Sequence, residues 1–344
     1  MISLPVLNSE TQRPVYARGP RSLSYVKLLR ISVTDRCNLR CVYCMPDDGV
    51  DWMAAQDDFL NVDDIEAVAR AAASFGVDHL KITGGEPTIR RDIVELTERL
   101  GRIEGIRDLS LTTNGMFLDR LAEPLKRAGV HRLTLSCDSL QSERFRMITH
   151  GGKLEQFWRG VEAAERANFH KIKLNVVVMS GVNDDEVVAF ARIAKERSWT
   201  VRFIEYMPLG ESVLTAVNPD GVIVDNAVVK QRIVEEFGPL TQVRPGTEMG
   251  VGPAEVYSFA GAKGRVGFIS AMSRPFCETC NRLRLTAVGE LRSCLFDGGE
   301  VNLLPALRPC VDSAGLVSLF EECVVMKPME HSFRGNRAMS QIGG

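Results

Sequence analysis

The chain has 344 residues, of which 45% are hydrophobic and 25% charged, so its composition is globular rather than collagen-like, coiled-coil or broadly disordered. Its 42 Lys and Arg residues and 44 Asp and Glu residues give a net charge of −2, which provides no overall basic field for nucleic acid or anionic lipid. At this length we expect one large domain with a smaller appendage.

The first 22 residues contain no apolar run of the length that a signal peptide or a membrane span requires. We therefore expect residues 1–22 to be a loosely ordered leader of a cytoplasmic protein that has no membrane partner. Nine cysteines without a secretion signal favour reduced thiols over a disulfide framework.

Short segments rich in Val, Ile, Leu and Thr alternate with amphipathic helical patterns between residues 28 and 207. The predicted strands are 28–33, 79–83, 109–113, 132–136, 171–178 and 201–205. The predicted helices are 62–76, 92–101, 117–129, 154–169 and 184–198. This alternation indicates parallel strands joined by right-handed crossovers, either as a doubly wound sheet or as an incomplete barrel.

The polar and glycine-rich stretches follow the predicted strands. The first strand runs into a cysteine cluster, and the next three run into TGGEP, TTNG and SCD. Parallel α/β folds, and barrels above all, place their active sites at the C-terminal ends of the strands. We therefore predict an α/β fold in which residues 23–225 form an incomplete (β/α)6 TIM-type barrel.

The pattern changes after residue 210. A predicted helix at 226–238 is followed by a Pro- and Gly-rich stretch at 244–253 and then by short alternating segments typical of antiparallel hairpins. Residues 226–344 are thus predicted to be a smaller C-terminal module of antiparallel strands and helices.

Three cysteines, Cys37, Cys41 and Cys44, lie within eight residues as C-x3-C-x2-C. Structural zinc needs four ligands, and only His79 or a distant cysteine could supply the fourth. Three thiolates suit a 4Fe–4S cluster, because they anchor three irons and leave the fourth open to an outside ligand. The sequence therefore favours a cluster with one coordination site free for chemistry.

A second group is formed by Cys277, Cys280 and Cys294. A hairpin that turns near residues 288 and 289 would place Cys294 opposite Arg282 and beside Cys280. A zinc site here would need a fourth ligand from elsewhere in the chain, such as Cys310 or Cys323. The cysteines without ligand spacing are interpreted as core residues: Cys137, Cys310 and Cys323.

The motifs together resemble a known superfamily. C-x3-C-x2-C with Tyr43 before its last cysteine, followed by GGEP after the next strand, is similar to the radical S-adenosylmethionine (SAM) superfamily. The C-x2-C-x13-C group with NRLR and the terminal Ile-Gly-Gly narrow the resemblance to the GTP 3′,8-cyclase family of molybdenum-cofactor biosynthesis. The resemblance runs from about residue 14 to the last residue.

This resemblance implies a lyase that converts GTP to 3′,8-cyclo-7,8-dihydro-GTP, the first step of molybdenum-cofactor (molybdopterin) biosynthesis. A 5′-deoxyadenosyl radical derived from SAM would abstract hydrogen from C3′ of GTP. The implied cofactors are SAM and two 4Fe–4S clusters. The first cluster would be bound by Cys37, Cys41 and Cys44, and the second by Cys277, Cys280 and Cys294.

The resemblance also implies roles for individual residues. The residues matched to SAM binding are Tyr43, Gly84, Gly85, Ser136 and Met207. Those matched to GTP binding are Arg30, Lys81, Thr112, Lys173, Arg202, Arg282 and Arg284. The catalytic set consists of Cys37, Cys41, Cys44, Arg282 and Arg284, and the Gly343-Gly344 tail is expected to reach into the site.

Two positions depart from the family pattern. Lys81 stands where the family usually has Arg, so it keeps the charge and loses the bidentate fork. His79 stands where Lys is frequent, and a histidine with an ordinary pKa is mostly neutral at pH 7. Both departures concern GTP binding rather than the radical chemistry.

The partners that the resemblance implies are GTP, SAM, a flavodoxin- or ferredoxin-like electron donor and the next enzyme of the pathway. It further implies a cytoplasmic homodimer that binds no nucleic acid. Two alternatives remain open: a radical SAM peptide or cofactor maturase with an auxiliary cluster, and a zinc-stapled binding module. A simple GTPase is disfavoured, because the sequence has no glycine-rich loop ending in Gly-Lys-Ser/Thr.

Overall fold

The computed structural model describes residues 19–45, 58–210, 212–214, 221–244, 251–297, 299–332, 337 and 339–343. Most of the expected leader, residues 1–18, lies outside these ranges, as does most of the Pro- and Gly-rich stretch, residues 245–250. No helix in the described ranges combines the length and the apolarity that crossing a bilayer requires.

A single sheet of twelve strands organises the part of the chain that the structure describes. The strands are β1 (Leu28–Ser32), β2 (His79–Thr83), β3 (Asp108–Thr113), β4 (Arg132–Ser136), β5 (Ile172–Val178), β6 (Thr200–Glu205), β7 (Thr241–Gln242), β8 (Glu255–Ser258), β9 (Arg265–Ile269), β10 (Arg282–Leu285), β11 (Glu290–Arg292) and β12 (Glu300–Asn302). Their order in the sheet is β12-β11-β10-β1-β2-β3-β4-β5-β6-β9-β8-β7.

The α-helices mostly connect the strands of the first six units. They are α1 (Val62–Ser74), α2 (Ile93–Gly101), α3 (Leu118–Arg127), α4 (Ser142–Ile148), α5 (Leu154–Arg166), α6 (Val187–Glu196), α7 (Asn226–Phe237), α8 (Leu304–Leu307), α9 (Ser313–Val325) and α10 (Met339–Ile342). Helix α1 begins with a capping box, in which the side chain of Asn61 accepts from the Asp64 N–H and that of Asp64 accepts from the Asn61 N–H.

The six predicted strands and their parallel pairing are confirmed, and their bounds agree with the prediction to within one residue. The resulting α/β architecture is that of an incomplete TIM-type barrel with additional C-terminal strands. Helix α4 was not predicted, because seven residues provide too few turns for a periodic pattern to stand out.

The C-terminal strands are not all antiparallel. Strands β10 and β9 pair in parallel with β1 and β6, so they extend the parallel sheet at both sides. Strands β11, β12, β8 and β7 then add antiparallel edges. Local alternation identifies a hairpin, but it carries no information on which distant strand the hairpin will join.

The inward face of the barrel is polar, while the outward face is apolar. In β5, Ile172 and Leu174 are buried against the helices, whereas Lys173 and Asn175 alternate with them on the other face. The strand register pairs Arg30 with Lys81 on one side and with Arg284 on the other. Cations from several strands therefore lie at one level inside the barrel.

A buried ion pair between Asp108 and Arg132 joins β3 to β4. The Asp108 carboxylate accepts from Arg132 Nε at 2.7 Å and from Nη2 of the same guanidinium, and both side chains are less than a tenth exposed. Burial alone would raise the pKa of Asp108, but the bonds from Arg132 outweigh it and hold the pKa below its usual value.

We expect Asp108→Asn to lower the free energy of unfolding by about 3–5 kcal/mol, because it leaves the Arg132 charge buried without its counter-charge. Since the folded-state pKa of Asp108 is depressed, its contribution is present above the unfolded pKa of about 3.9 and is lost as pH falls through the folded value. Denaturant unfolding at several pH values measures both effects. Asp63→Asn, at an exposed pair with Arg99, is the matched control and should have little effect.

Candidate functional site

One cavity at the C-terminal ends of the barrel strands contains nearly all the predicted site residues. Its lining includes both cysteine groups and the residues Arg30, Tyr43, Lys81, Gly84, Gly85, Thr112, Ser136, Arg202, Met207, Arg282 and Arg284. Lys173 is the predicted contact that the cavity lining omits, but it is close enough to Lys81 to influence its charge. The fold thus brings to one cavity two cysteine groups whose first members, Cys37 and Cys277, are 240 positions apart in the chain.

The first cysteine group lies on the loop after β1 and is held from several directions. The Cys44 N–H donates to the Cys41 carbonyl at 2.9 Å, which forms a tight turn. The hydroxyl of Tyr43 donates to Asp138 Oδ2 at 2.9 Å, at the end of β4. The Asn114 side-chain amide, after β3, lies 3.9 Å from Cys37 Sγ as a weak donor. The loop is therefore fixed to the ends of two neighbouring strands.

The surroundings of this group disfavour free thiolates. Burial, followed by the carboxylate of Glu86, raises the pKa of Cys37 to about 11. Burial, followed by the neighbouring Cys37, raises the pKa of Cys44 to about 12. The pKa of Cys41 is raised as well, chiefly by burial. Bound metal replaces the thiol proton, so a metal centre would stabilise these groups as thiolates against the effect of burial.

Two buried carboxylates lie beside the first group. Glu86 accepts from the Asn114 N–H at 2.7 Å and from the Thr113 hydroxyl at 2.7 Å, and burial raises its pKa. Burial also raises the pKa of Asp138 to about 6, against hydrogen bonds from the Val177 N–H and Tyr43. Glu86 thus ties the end of β3 to the glycine turn, and Asp138 ties the end of β4 to the cysteine loop.

The Gly-Gly turn after β2 passes very close to the backbone that precedes Cys37. The Gly85 N–H donates to the Thr34 carbonyl at 2.7 Å. A Cβ atom at Gly85 would lie 2.2 Å from the carbonyl oxygen of Arg36, and one at Gly84 would lie 2.4 Å from that of Thr34. Only glycine fits at these two positions, because backbone atoms occupy the space of a side chain.

We expect Gly85→Ala to destabilise the fold by about 1–3 kcal/mol, because the added methyl group forces two backbone segments apart. It should also lower the iron content after reconstitution, since the displaced segment leads directly to Cys37. Denaturant unfolding and iron analysis measure these effects. Gly252→Ala, where a Cβ would meet nothing within 4 Å, should change neither quantity.

The second cysteine group is built from a short turn and the predicted hairpin. The Cys280 N–H donates to the Cys277 carbonyl at 3.1 Å. In the hairpin, β10 and β11 pair Arg284 with Arg292, so Cys294 follows two residues later, opposite Arg282. The prediction that this hairpin brings Cys294 to Cys280 is confirmed by this register and by the shared cavity.

The loop before Cys277 is anchored by Glu205, which is fully buried at the end of β6. Its carboxylate accepts from the N–H groups of Met272 and Ser273 at 2.8 and 2.9 Å, and from the N–H of Asn226 at 3.1 Å. The loop that leads to Cys277 is thereby fixed to the end of β6, while Cys280 comes directly before β10, the strand that pairs with β1.

Cations surround the second group. Burial alone would raise the pKa of Cys280, but Arg282 and Lys327 outweigh burial and bring the pKa to about 7. Lys327 Nζ donates to the Cys280 carbonyl at 2.8 Å. The pKa of Cys277 is raised by burial, against a hydrogen bond from the backbone of His331.

The space between the two groups is strongly basic. Burial, followed by neighbouring cations, lowers the pKa of Arg30, Lys81 and Arg284. Lys81 Nζ donates to the Thr134 hydroxyl at 3.1 Å. Buried polar atoms of two other residues, Thr112 Oγ1 and Asn175 Oδ1, have no hydrogen-bond partner among the described residues. The cations could bind the charged groups of a polyanionic ligand, and the unsatisfied polar atoms could hydrogen-bond to its hydroxyl groups and base edges.

The C-terminal tail enters this space. Arg284 Nη1 donates to the Gly343 carbonyl at 2.7 Å, in buried surroundings, and Ile342 is buried. The Ser340 N–H contacts the Cys44 thiol. Gly343 has φ +66°, which favours glycine. The other residue of the expected tail, Gly344, lies outside the described residues.

The residues considered as a fourth zinc ligand, Cys310, Cys323 and His79, do not line the cavity. Cys323 is buried and its thiol donates to backbone carbonyls of Leu291 and Gly299, while Cys310 is exposed. His79 Nδ1 is hydrogen-bonded to Asp78 Oδ1 at 2.6 Å and does not line the cavity. The core assignment therefore holds for Cys137 and Cys323 and is wrong for Cys310, because its proline-flanked loop leaves it at the surface.

Among the described residues, no three Cys, His, Asp or Glu side chains converge tightly enough to bind one metal ion. A 4Fe–4S cluster does not require such convergence, because each thiolate binds a different iron. The donor chemistry of each group, three thiols facing a common cavity, fits a cluster with one open iron.

Several residues of the site were not predicted from the sequence. Glu86, Asn114 and Asp138 lie within the stretches GGEP, TTNG and SCD, so their position after strands was a usable signal. Lys327 gave no signal, because it lies far from any motif and reaches the site only through the packing of α9.

Comparison with known proteins agrees with this geometry. Residues 31–194 match the family model of the radical SAM superfamily, and residues 199–333 match that of Molybdenum Cofactor Synthesis C. The chain is similar in fold to the crystal structure of Streptococcus suis SuiB bound to S-adenosylmethionine, with a TM-score of 0.59, 15% identity, and coverage of 86% of this chain and 68% of SuiB. The fold and the cysteine loop thus define a radical SAM enzyme.

Two sequence relatives narrow the class. The chain is 46% identical to the GTP 3′,8-cyclase of Pelotomaculum thermopropionicum and 45% identical to that of Heliobacterium modesticaldum. Each alignment covers 93% of this chain and 98% of the relative. The chain belongs to the GTP 3′,8-cyclase family. Membership implies SAM and a 4Fe–4S cluster.

Proposed function

We propose that this protein converts GTP to 3′,8-cyclo-7,8-dihydro-GTP, as the first step of molybdenum-cofactor biosynthesis. The observation that carries the proposal is a single cavity with a three-thiol group at each side and a basic lining between them. A substrate bound at one cysteine group would lie within the same cavity as SAM bound at the other.

Cys37, Cys41 and Cys44 would hold the first 4Fe–4S cluster, and Cys277, Cys280 and Cys294 the second. When bound, the first cluster supplies the electron that cleaves SAM to methionine and a 5′-deoxyadenosyl radical, which abstracts hydrogen from C3′ of GTP. Gly84 and Gly85 line the cavity beside this cysteine group, where their backbone would contact the methionyl part of SAM. Tyr43, Ser136 and Met207 would complete the SAM site.

The cations would bind the triphosphate and orient the ribose. Arg30 and Lys81 are register partners, the side chains of Lys81 and Arg202 both donate to the Thr134 hydroxyl, and Lys173 is next to Lys81. A triphosphate would offset the repulsion among these buried charges, and each guanidinium can offer paired donors to phosphate oxygens. Lys81 offers a point charge instead, from an ammonium that donates to the Thr134 hydroxyl.

The remaining groups of the site exclude water and hold the substrate. Thr112 Oγ1 is suited to a ribose or base contact, because it is buried without a partner among the described residues. Arg282 and Arg284 would act at the substrate from β10, and the Gly343 carbonyl orients Arg284. The tail, where it enters the cavity beside Arg284, would help to shield a radical from solvent.

The proposal extends to the organisation and surroundings of the enzyme. It includes a leader at residues 1–22, a radical SAM barrel at 23–225 and a C-terminal module at 226–344 that carries the second cluster and the tail. It also includes a flavodoxin- or ferredoxin-like electron donor, transfer of the product to the next enzyme of the pathway, and a cytoplasmic homodimer. The two matched family models support a division of the chain into two units.

The test is an anaerobic assay on protein reconstituted with iron and sulfide. With dithionite and SAM present, 5′-deoxyadenosine should form rapidly with GTP and much more slowly with ATP or without nucleotide. Release that ignores GTP would instead favour a maturase acting on another substrate. Zinc in place of iron, with no release, would contradict the proposal altogether.

A further inference from the structure

A buried lysine beside the second cysteine group has no role in the chemistry described above. Lys327 is 3% exposed and follows the end of α9. Its ammonium donates to the Cys280 carbonyl at 2.8 Å, and its own carbonyl accepts from Arg21 Nε at 2.8 Å. Both ends of the residue are therefore tied, and the ammonium is held against the Cys277–Cys280 turn.

Within the described ranges, no Asp or Glu side chain lies at ion-pair distance from Lys327 Nζ. The ionisable groups that face it are the thiols of Cys280, Cys294 and Cys323, together with Arg282. A buried cation beside a second cation is costly unless an anion is close by. Among the groups that face Lys327, only the thiols can become anions, as thiolates.

The first cysteine group has the opposite surroundings. Glu86 and Asp138 are buried carboxylates that act on Cys37, Cys41 and Cys44. The second group faces chiefly Lys327 and Arg282, which act on Cys280, while the carboxylate of Glu330 acts on Cys277. The same three-thiol chemistry thus occurs twice in one cavity, once next to anions and once next to cations.

We propose that Lys327 is a positioning residue of the second cysteine group, which fixes the Cys280 turn and stabilises negative charge on the cluster bound there. The inference rests on the proposed second 4Fe–4S cluster. On reduction, one electron from the donor enters the cluster, no bond breaks, and the cluster becomes more negative by one charge. A fixed ammonium favours that reduced form, so it raises the reduction potential of this cluster.

The experiment is an anaerobic redox titration followed by electron paramagnetic resonance, on the full chain with both clusters. The second cluster is assigned as the signal that persists when Cys37, Cys41 and Cys44 are replaced by alanine. Lys327→Met should disfavour its reduction by about tenfold, equivalent to a shift of about 59 mV to more negative potential for a one-electron couple. The first cluster should keep its potential.

Two further variants separate charge from shape. Lys327→Arg retains the cation and should keep the potential close to that of the parent protein. Lys263→Met, at an exposed lysine, should shift neither cluster. Loss of the second cluster from Lys327→Met with retention in Lys327→Arg would also support the proposal, because it would show that the charge holds the site together.

An unshifted potential in Lys327→Met would overturn the inference. An equal shift, or an equal loss of iron, in the Met and Arg variants would overturn it too, since charge would then not matter. If the parent protein binds iron only at the first cysteine group, the two-cluster function fails and the inference fails with it. Two clusters in the parent with no effect of Lys327→Met would overturn the inference alone.

Discussion

Replacing Cys41 by serine should abolish the formation of 5′-deoxyadenosine from SAM. Losing a residue that only hydrogen-bonds a metal ligand typically lowers metal affinity or activity by 10- to 100-fold. Losing a ligand itself should therefore lower the activity by at least about 100-fold. The surroundings allow no substitute, because the thiols of the second group lie across the cavity and the nearby carboxylates are already engaged by hydrogen bonds. The assay with GTP, together with iron and sulfide analysis, measures the effect.

Cys137→Ser is the matched control for this prediction. Cys137 is 1% exposed, and its thiol donates to the Ser139 carbonyl at 3.2 Å, a bond that a serine hydroxyl can also make. Iron content and activity should stay close to those of the parent protein. GTP-stimulated cleavage that survives in Cys41→Ser would contradict the assignment of the first cysteine group.

Replacing Arg284 by leucine should lower kcat/KM for GTP by about 30-fold or more. Truncating one partner of a buried, charged hydrogen bond costs about 2–5 kcal/mol, and 2 kcal/mol corresponds to this factor. Arg284 is 5% exposed and donates to the Gly343 carbonyl, so its loss would affect both the substrate and the tail. Steady-state kinetics with varied GTP measures the change.

The two contributions of Arg284 can be separated by a double-mutant cycle with a chain that ends at Ile342. If Arg284 acts only through the tail, the combined variant should be no worse than either single variant. If it also binds GTP, the combined loss should exceed each single loss. Arg70→Leu, at an exposed arginine on α1, should leave kcat/KM unchanged. An unchanged kcat/KM in Arg284→Leu would contradict its place in the GTP site.

The sequence alone predicted the barrel and both cysteine groups, because these features are encoded locally. Strands β1 to β6 are apolar runs bounded by polar and glycine-rich stretches. The turn of the hairpin around Gly289 is determined by residues that are adjacent in the chain. The cysteine spacing sets a ligand group within one loop. Short-range signals of this kind survive in any tertiary context.

What only the tertiary structure decided concerns contacts between distant segments. The parallel pairing of β10 with β1, the approach of Gly343 to Arg284, and the position of Lys327 beside Cys280 all join residues far apart in the chain. The exposure of Cys310 was also decided at this level. Periodicity and spacing report on which face a residue takes within its own element, whereas the partner of that face depends on how the whole sheet is assembled.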